Sequence, residues 1–144
     1  MNVLFFLTPK EDVAYILEEY SVKEVLEIME QHRYTSIPVI NKEGHYIGTI
    51  TEGDMLWSMK NLNLTNENKI KEFKNSPVTN IKRRRDNSPI SIDSKIEDLL
   101  SKSVNQNFVP VVDDQDVFIG IIKRSDIISY FVKKNNLEVV SENF

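Results

Sequence analysis

The chain repeats itself, and the repeat limits what it can fold into more than any other feature. Residues 37–56 read IPVINKEGHYIGTITEGDML and residues 109–128 read VPVVDDQDVFIGIIKRSDII, aligned without a gap at an offset of 72. Six of the twenty positions are identical: Pro38/Pro110, Val39/Val111, Ile47/Ile119, Gly48/Gly120, Ile50/Ile122 and Asp54/Asp126. Unrelated segments would share about one identity in twenty, so the pairing marks a duplicated structural unit. Five further pairs stay apolar: Ile37/Val109, Ile40/Val112, Tyr46/Phe118, Met55/Ile127 and Leu56/Ile128.

Each copy carries the same local grammar. Ser21-Val22-Lys23-Glu24 has the spacing of a capping box, and Val22, Val25, Leu26 and Met29 then fall on one helical face. Ser94-Lys95-Ile96-Glu97 opens a second such helix, and the join that follows it is about two residues shorter. Two short β-branched runs come next in each copy, residues 37–40 with 46–51 and 109–112 with 117–123. A polar turn joins each pair into a hairpin. A further amphipathic helix begins near Glu52 and near Arg124, and residues 13–17 and 90–92 supply a strand before each first helix. The unit is strand, helix, strand, strand, helix, twice, in an α/β fold.

Residues 61–76 are polar and Asn-rich, with Ile70 and Phe73 the one strong helical pair, and Ser76-Pro77 ends any helix there. The division falls at that point: residues 1–75 form the first repeat and 76–144 the second. A three-stranded sheet needs cover on its second face, so the copies are expected to pack sheet to sheet with pseudo-two-fold symmetry. That symmetry creates a cleft with two quasi-equivalent sites. Glycines 48 and 120, inside strands, are expected where the two sheets come close, and Pro38 and Pro110 where a strand edge lacks a partner.

Composition narrows the function. Of 144 residues, 40% are hydrophobic, enough for a folded core. Lys and Arg number 18 against 22 Asp and Glu, a net charge of -4 that offers nucleic acid no global attraction, so any anion site must be local. The absence of cysteine fits a reducing cytoplasm, and no apolar stretch near the start is long enough for a membrane span or flanked like a signal peptide. His32 and His45 stand apart from any ligand spacing, so no metal site is expected. No nucleophile elbow or phosphate-cradling glycine loop appears, and an enzyme is not expected.

The apolar-Pro-apolar steps Ile37-Pro38-Val39 and Val109-Pro110-Val111, the Ile-Gly pairs and the Asp opening each last helix together resemble the CBS domain, in both copies and over nearly the whole chain. The stretches NVLFFLTPKEDVAYI and NQNFVPVVDDQDVFIGI are also similar to small stand-alone Firmicute CBS proteins, some of which bind cyclic di-AMP and act by docking on other proteins. The resemblance implies a regulatory ligand, an adenine nucleotide, and no resident cofactor. It implies that Asp54 and Asp126 hold ribose, that Thr51 reaches phosphate, and that main chain around Tyr34, Thr35, Ile37 and Pro38, with Asn107, Phe108, Val109 and Pro110, grips the base. The second copy departs from the pattern: Lys123-Arg124-Ser125-Asp126 stands where the first has Thr51-Glu52-Gly53-Asp54, so the two sites differ chemically.

Each of these features also has a plainer reading. Thr51-x-x-Asp54 is an ordinary helix cap taken alone, although a helix N-terminus also suits a phosphate. The run Lys82-Arg83-Arg84-Arg85 is either a solvated linker or an anion site, since it leads into the second copy as Leu7-Thr8-Pro9-Lys10 leads into the first. If Arg83, Arg84 and Arg85 converge with Lys123 and Arg124, one cleft gathers the positive charge, and the other has Thr8, Lys10 and Thr51. Nucleic-acid binding is disfavoured because no aromatics interleave the basic run. The expected function is a non-catalytic module that binds an adenine nucleotide (AMP, ADP, ATP or cyclic di-AMP) between the repeats and signals to a protein partner. The alternative is a structural or oligomerisation module without a ligand. Leu56, Trp57, Met59, Tyr130, Phe131 and Val132 supply an apolar surplus on the helices, from which a homodimer is expected.

Overall fold

A computed structural model describes residues 1–136. The tail from Leu137, in which the sequence shows no pattern, lies outside the described residues.

In the first repeat β2 (Ile16–Leu17), α1 (Val22–His32), β3 (Ser36–Ile40), β4 (Tyr46–Thr51) and α2 (Glu52–Asn61) follow one another, preceded by a short strand β1 (Thr8–Pro9). Helix α3 (Glu67–Asn75) then crosses to the second repeat: β5 (Ile90–Ser91), α4 (Ile96–Ser103), β6 (Phe108–Val112), β7 (Phe118–Lys123) and α5 (Arg124–Lys134). The strand before each first helix is shorter than its apolar run. Residues 10–12 wind into a 3-10 turn, so the expected strand over 13–17 is reduced to its last two residues.

Local chemistry explains the boundaries. The Ser21 hydroxyl accepts from Glu24 N and the Glu24 carboxylate from Ser21 N, closing the capping box of α1. The corresponding box at Ser94 does not form. The Ser94 hydroxyl accepts instead from Ser91 N at 3.1 Å, which tightens the turn out of β5 and leaves Lys95 as an N-cap without a side-chain bond. In both hairpins one side chain organises the turn. The Asn41 carbonyl accepts from Glu43 N and His45 N at 3.0 and 2.9 Å, and Asp113 does the same for Gln115 N and Val117 N at 2.8 and 2.9 Å. Even the bulges match: register shifts after Val39 and after Val111, with Val39 facing Gly48 and Val111 facing Gly120.

The sheets are ordered β2-β3-β4 and β1-β7-β6-β5. Strand β1 therefore belongs to the second repeat's sheet, pairing antiparallel with β7 at Thr8–Ile121 and Pro9–Gly120. The cores follow the same exchange. Val3 and Phe6 are buried with Leu99, Val109, Ile122 and Ile127, while Val78 and Ile81 are buried with Val22, Val25, Ile37 and Met55. Thus each copy lends its lead-in segment to the other. Phe73 anchors α3 in the first core, and Ser76 ends that helix. Between the sheets lies a third cluster, Ile40, Phe108, Phe118 and Ile121, flanked by Val13, Tyr15, Leu17 and Tyr46. The two repeats pack against each other, and their hairpin turns touch where Phe118 N donates to Gly44 O at 2.8 Å.

Two expectations about backbone are corrected. Strands β3 and β6 are central, not edge strands; Pro38 and Pro110 are tolerated because β2 and β5 pair only with the two residues at the far end of each. Gly48 and Gly120 do not serve the contact between sheets. A Cβ at Gly120 would overlap the Thr8 carbonyl, and one at Gly48 would overlap the Arg83 and Asp86 side chains, so each glycine makes room for a lead-in segment of the other repeat.

Candidate functional site

Where β2 stops short, the chain beside Pro38 opens into a cleft of about 400 Å³ between the repeats. Tyr34, Thr35, Ser36 and Pro38 form its first-repeat side, running from the end of α1 into β3. Asn107, Phe108 and Ile121 form the second-repeat side. Asp12, Val13 and Ala14 wall it laterally, and Lys123, Arg124 and Ser125, the start of α5, close one end. The volume suits a nucleotide-sized ligand. Three cations line it, Arg33, Lys123 and Arg124, against one acid, Asp12. Arg124 N donates to Asn107 O at 3.0 Å, and the remaining N–H groups of the first α5 turn, which no side chain caps, add partial positive charge.

Of the residues singled out in the sequence, Tyr34, Thr35, Pro38, Asn107, Phe108, Lys123 and Arg124 come together here. Asp126 is exposed in the first turn of α5, next to the cleft's basic end. Ile37 and Val109 point the other way, fully buried in the two cores, because alternate residues of a strand face opposite sides. Pro110 faces Ile121 across β6 and β7. Thr8 lies in the ladder with Ile121, and the Lys10 ammonium sits 5.1 Å over the Tyr15 ring.

The expected convergence of residues 83–85 with Lys123 and Arg124 does not occur. Because the lead-in segments are exchanged, the basic run lies along β4 of the first repeat, and residues 12–14 reach the start of α5. Arg83 Nη2 donates to Ile47 O at 3.1 Å and its Nε pairs with Asp86 at 2.8 Å. The Arg84 guanidinium stacks 5.2 Å over Trp57, and Arg85 is exposed. Thr51 and Asp54 form a complete capping box on α2: Thr51 Oγ1 accepts from Asp54 N and Asp54 Oδ2 from Thr51 N, both at 3.0 Å. Asp54 is 1% exposed, and its second oxygen accepts from Arg84 N at 3.0 Å.

Sequence reasoning missed Arg33, Asp12, Val13 and Ala14. Arg33 ends α1 in the left-handed conformation at φ 56°, a place where glycine is usual and which no pattern of apolar residues reveals. Residues 12–14 belong to the cleft only through the exchange of segments, which a linear repeat does not display.

Beside the linker, the Tyr46 phenol bonds Thr49 Oγ1 at 2.6 Å and accepts from Asn87 N at 3.1 Å. Burial pushes its pKa up to about 12, against the hydroxyl of Thr49; the Asp86 charge adds to the rise, and the Asn87 amide and Arg83 oppose it.

A larger groove of about 820 Å³ runs between α1 and α2, where Glu27, Glu30 and Glu52 offset Lys23, Arg33 and Lys74, so it lacks the excess of positive charge found in the cleft. Leu56 and Ile128, equivalent positions on α2 and α5, are 62% and 55% exposed. Tyr130 and Phe131, by contrast, pack on the second core, with Phe5 and Phe6 edge-on to Tyr130. Among the described residues no group of three or more His, Cys, Asp or Glu is placed to hold a metal, and no helix is long and apolar enough to cross a membrane.

Two strand-helix-strand-strand-helix units related by pseudo-two-fold symmetry, with a basic cleft between them, make a paired-repeat module with a ligand-sized space between its halves. The CBS domain family matches residues 6–61 and 78–133, and the chain belongs to it. A crystal structure of CbpB in complex with c-di-AMP superimposes with a TM-score of 0.82 at 26% identity, over 94% of this chain and 87% of that one. A CBS domain protein from Streptococcus pneumoniae is also 26% identical, with a TM-score of 0.79 over 91% of this chain and 86% of the other. The A-adding tRNA nucleotidyltransferase of Aquifex aeolicus is 32% identical over 118 residues, 79% of this chain, which spans only 13% of that enzyme.

Proposed function

We propose that the chain is a cytoplasmic, non-catalytic sensor that binds an adenine nucleotide in the cleft at the start of α5 and signals to a protein partner. The observation that carries this reading is the cleft itself: an apolar, base-sized space at Val13, Ala14, Pro38 and Ile121 ends at Lys123, Arg124 and an uncapped helix N-terminus. The base lies against the apolar wall, with main chain of residues 34–38 and 107–108 reading its edge. Asp126 takes the ribose, and Lys123 and Arg124 take phosphate through charge-assisted bonds. The 26% identical CbpB, whose structure is a complex with c-di-AMP, supports a nucleotide of this class.

The test is a thermal melt with AMP, ATP and c-di-AMP, followed by calorimetry. A ligand at a hundred times its Kd stabilises the native state by about 2.7 kcal/mol, a rise of roughly 5–10 °C for a chain of this size. The double substitution Lys123→Ala and Arg124→Ala should weaken binding at least about tenfold, whereas Thr51→Ala should leave it within about threefold, since its hydroxyl serves the α2 cap. No shift with any of the three nucleotides at millimolar concentration would leave a structural module without a ligand as the better reading.

A further inference from the structure

The pseudo-two-fold axis generates a second cleft at the start of α2, and the two places are not alike. Around the α5 cleft stand Val13, Ala14, Phe118 and Ile121, without hydrogen-bonding side chains, and Tyr34. The repeat places Asn87, Ser88, Tyr46, Thr49 and Gln106 at the corresponding positions of the α2 cleft, where Tyr46, Thr49 and Gln106 each bond residues 86–88 of the linker. Asn87 Nδ2 donates to Phe108 O at 3.2 Å and Asn87 N to the Tyr46 phenol at 3.1 Å. Asp86 Oδ1 accepts from Thr49 N at 3.0 Å. Gln106 brackets Ser88, accepting from its N–H and donating to its carbonyl, each at 3.0 Å. Asp54 accepts from Arg84 N.

These contacts have the chemistry of a bound nucleoside. A carboxamide N–H on the Phe108 carbonyl does what the amino group of a base would do there, and a backbone N–H on Asp54 takes the place of a ribose hydroxyl. We infer that residues 84–88 occupy the α2 cleft as an internal ligand, so that each chain binds one nucleotide, in the α5 cleft. The inference rests on the nucleotide reading above for the single equivalent, and on the linker contacts alone for the closed cleft. Asp54 is then a linker clamp, and Asp126, exposed in the described residues, is the carboxylate left to an external ligand.

Two measurements on the full chain test it. Calorimetry with c-di-AMP and with ATP should give one equivalent per chain; two equivalents would overturn the inference while leaving the nucleotide reading intact, and no binding to either would overturn both the reading and the single equivalent. Hydrogen exchange without ligand judges the closed cleft by itself. The amides of Thr49, Arg84 and Asn87 should exchange at least tenfold more slowly than that of Arg85, and Asn87→Ala with Tyr46→Phe should remove the protection at Arg84 and Asn87. Exchange as fast as at Arg85 in the unsubstituted chain would show that the linker is not seated, whatever the stoichiometry.

Discussion

Gly48 and Gly120 stand at the same place in the two repeats, so replacing each by alanine compares the two lead-in segments directly. The backbone contribution is common to both, since φ is +158° and +156°. The neighbours are not. At Gly120 the new Cβ would meet the Thr8 carbonyl, Leu7 Cδ1 at 2.9 Å and Pro9 Cα at 3.1 Å, mostly main chain that is held in the β1–β7 ladder. Overpacking against such fixed neighbours costs about 3 kcal/mol, the upper end of the usual range. The loss is bounded by release of β1, which would also expose Val3 and Phe6 at roughly 1.5–3 kcal/mol each. At Gly48 the obstacles are the ends of two side chains, 28% and 41% exposed, that can swing into solvent. That movement gives up the Asp86 bond to Thr49 N and an exposed ion pair, together about 1 kcal/mol. In a chain of this length 1 kcal/mol shifts the melting temperature by about 2–4 °C. Gly120→Ala should therefore lower Tm by about 6–12 °C and Gly48→Ala by about 2–4 °C, read by circular dichroism at matched concentration. Equal losses, or a larger one at Gly48, would refute the assignment of the two glycines to segments of different rigidity.

Lys123→Thr would restore to α5 the cap that Thr51 gives α2, and should stabilise the chain by about 1 kcal/mol in urea unfolding while weakening nucleotide binding; loss of stability would contradict the capping argument. The folded Tyr46 phenol keeps its proton beyond the unfolded value of 10.0, so its contribution is fully present below pH 10 and disappears as pH rises through about 12. Tyr46→Phe should be less stable than the parent by about 1 kcal/mol at pH 8, and the gap should close between pH 10 and 12; a constant gap would count against a buried neutral phenol. We expect a homodimer through the helix faces that carry Leu56, Met59 and Ile128. Light scattering should report it, and Leu56→Lys with Ile128→Lys should yield monomer; a monomeric parent at tens of micromolar would exclude this.

The repeat, the hairpins and both cores were legible in the sequence because identical apolar spacing carries them: Val39 and Val111 face Gly48 and Gly120 in the same register, down to the bulge. Half the cleft was legible too, since Tyr34, Thr35 and Pro38 meet Asn107, Phe108, Lys123 and Arg124. Its lateral wall was not. A linear duplication says which residues are equivalent, but not that β1 pairs with a strand of the other copy, and so it assigned the basic run 82–85 to the wrong helix start. Arg33 escaped for a different reason: its place in the cleft depends on a left-handed backbone at a residue with no special preference for it. Ser94 shows the converse failure, a capping pattern whose hydroxyl is diverted to Ser91 N, three residues upstream.

The exchange of β1 bears on how the protein is made. Thr8 pairs with Ile121, and Val3 and Phe6 are buried against residues of α4, β6, β7 and α5, so these residues meet their partners only after about 110 further residues have been made. At about 5–20 residues per second that is a wait of several seconds to about twenty, with Val3 and Phe6 uncovered. The first repeat also lacks Val78 and Ile81 until the linker has emerged. Neither core can be completed from its own repeat alone, because each holds a segment of the other.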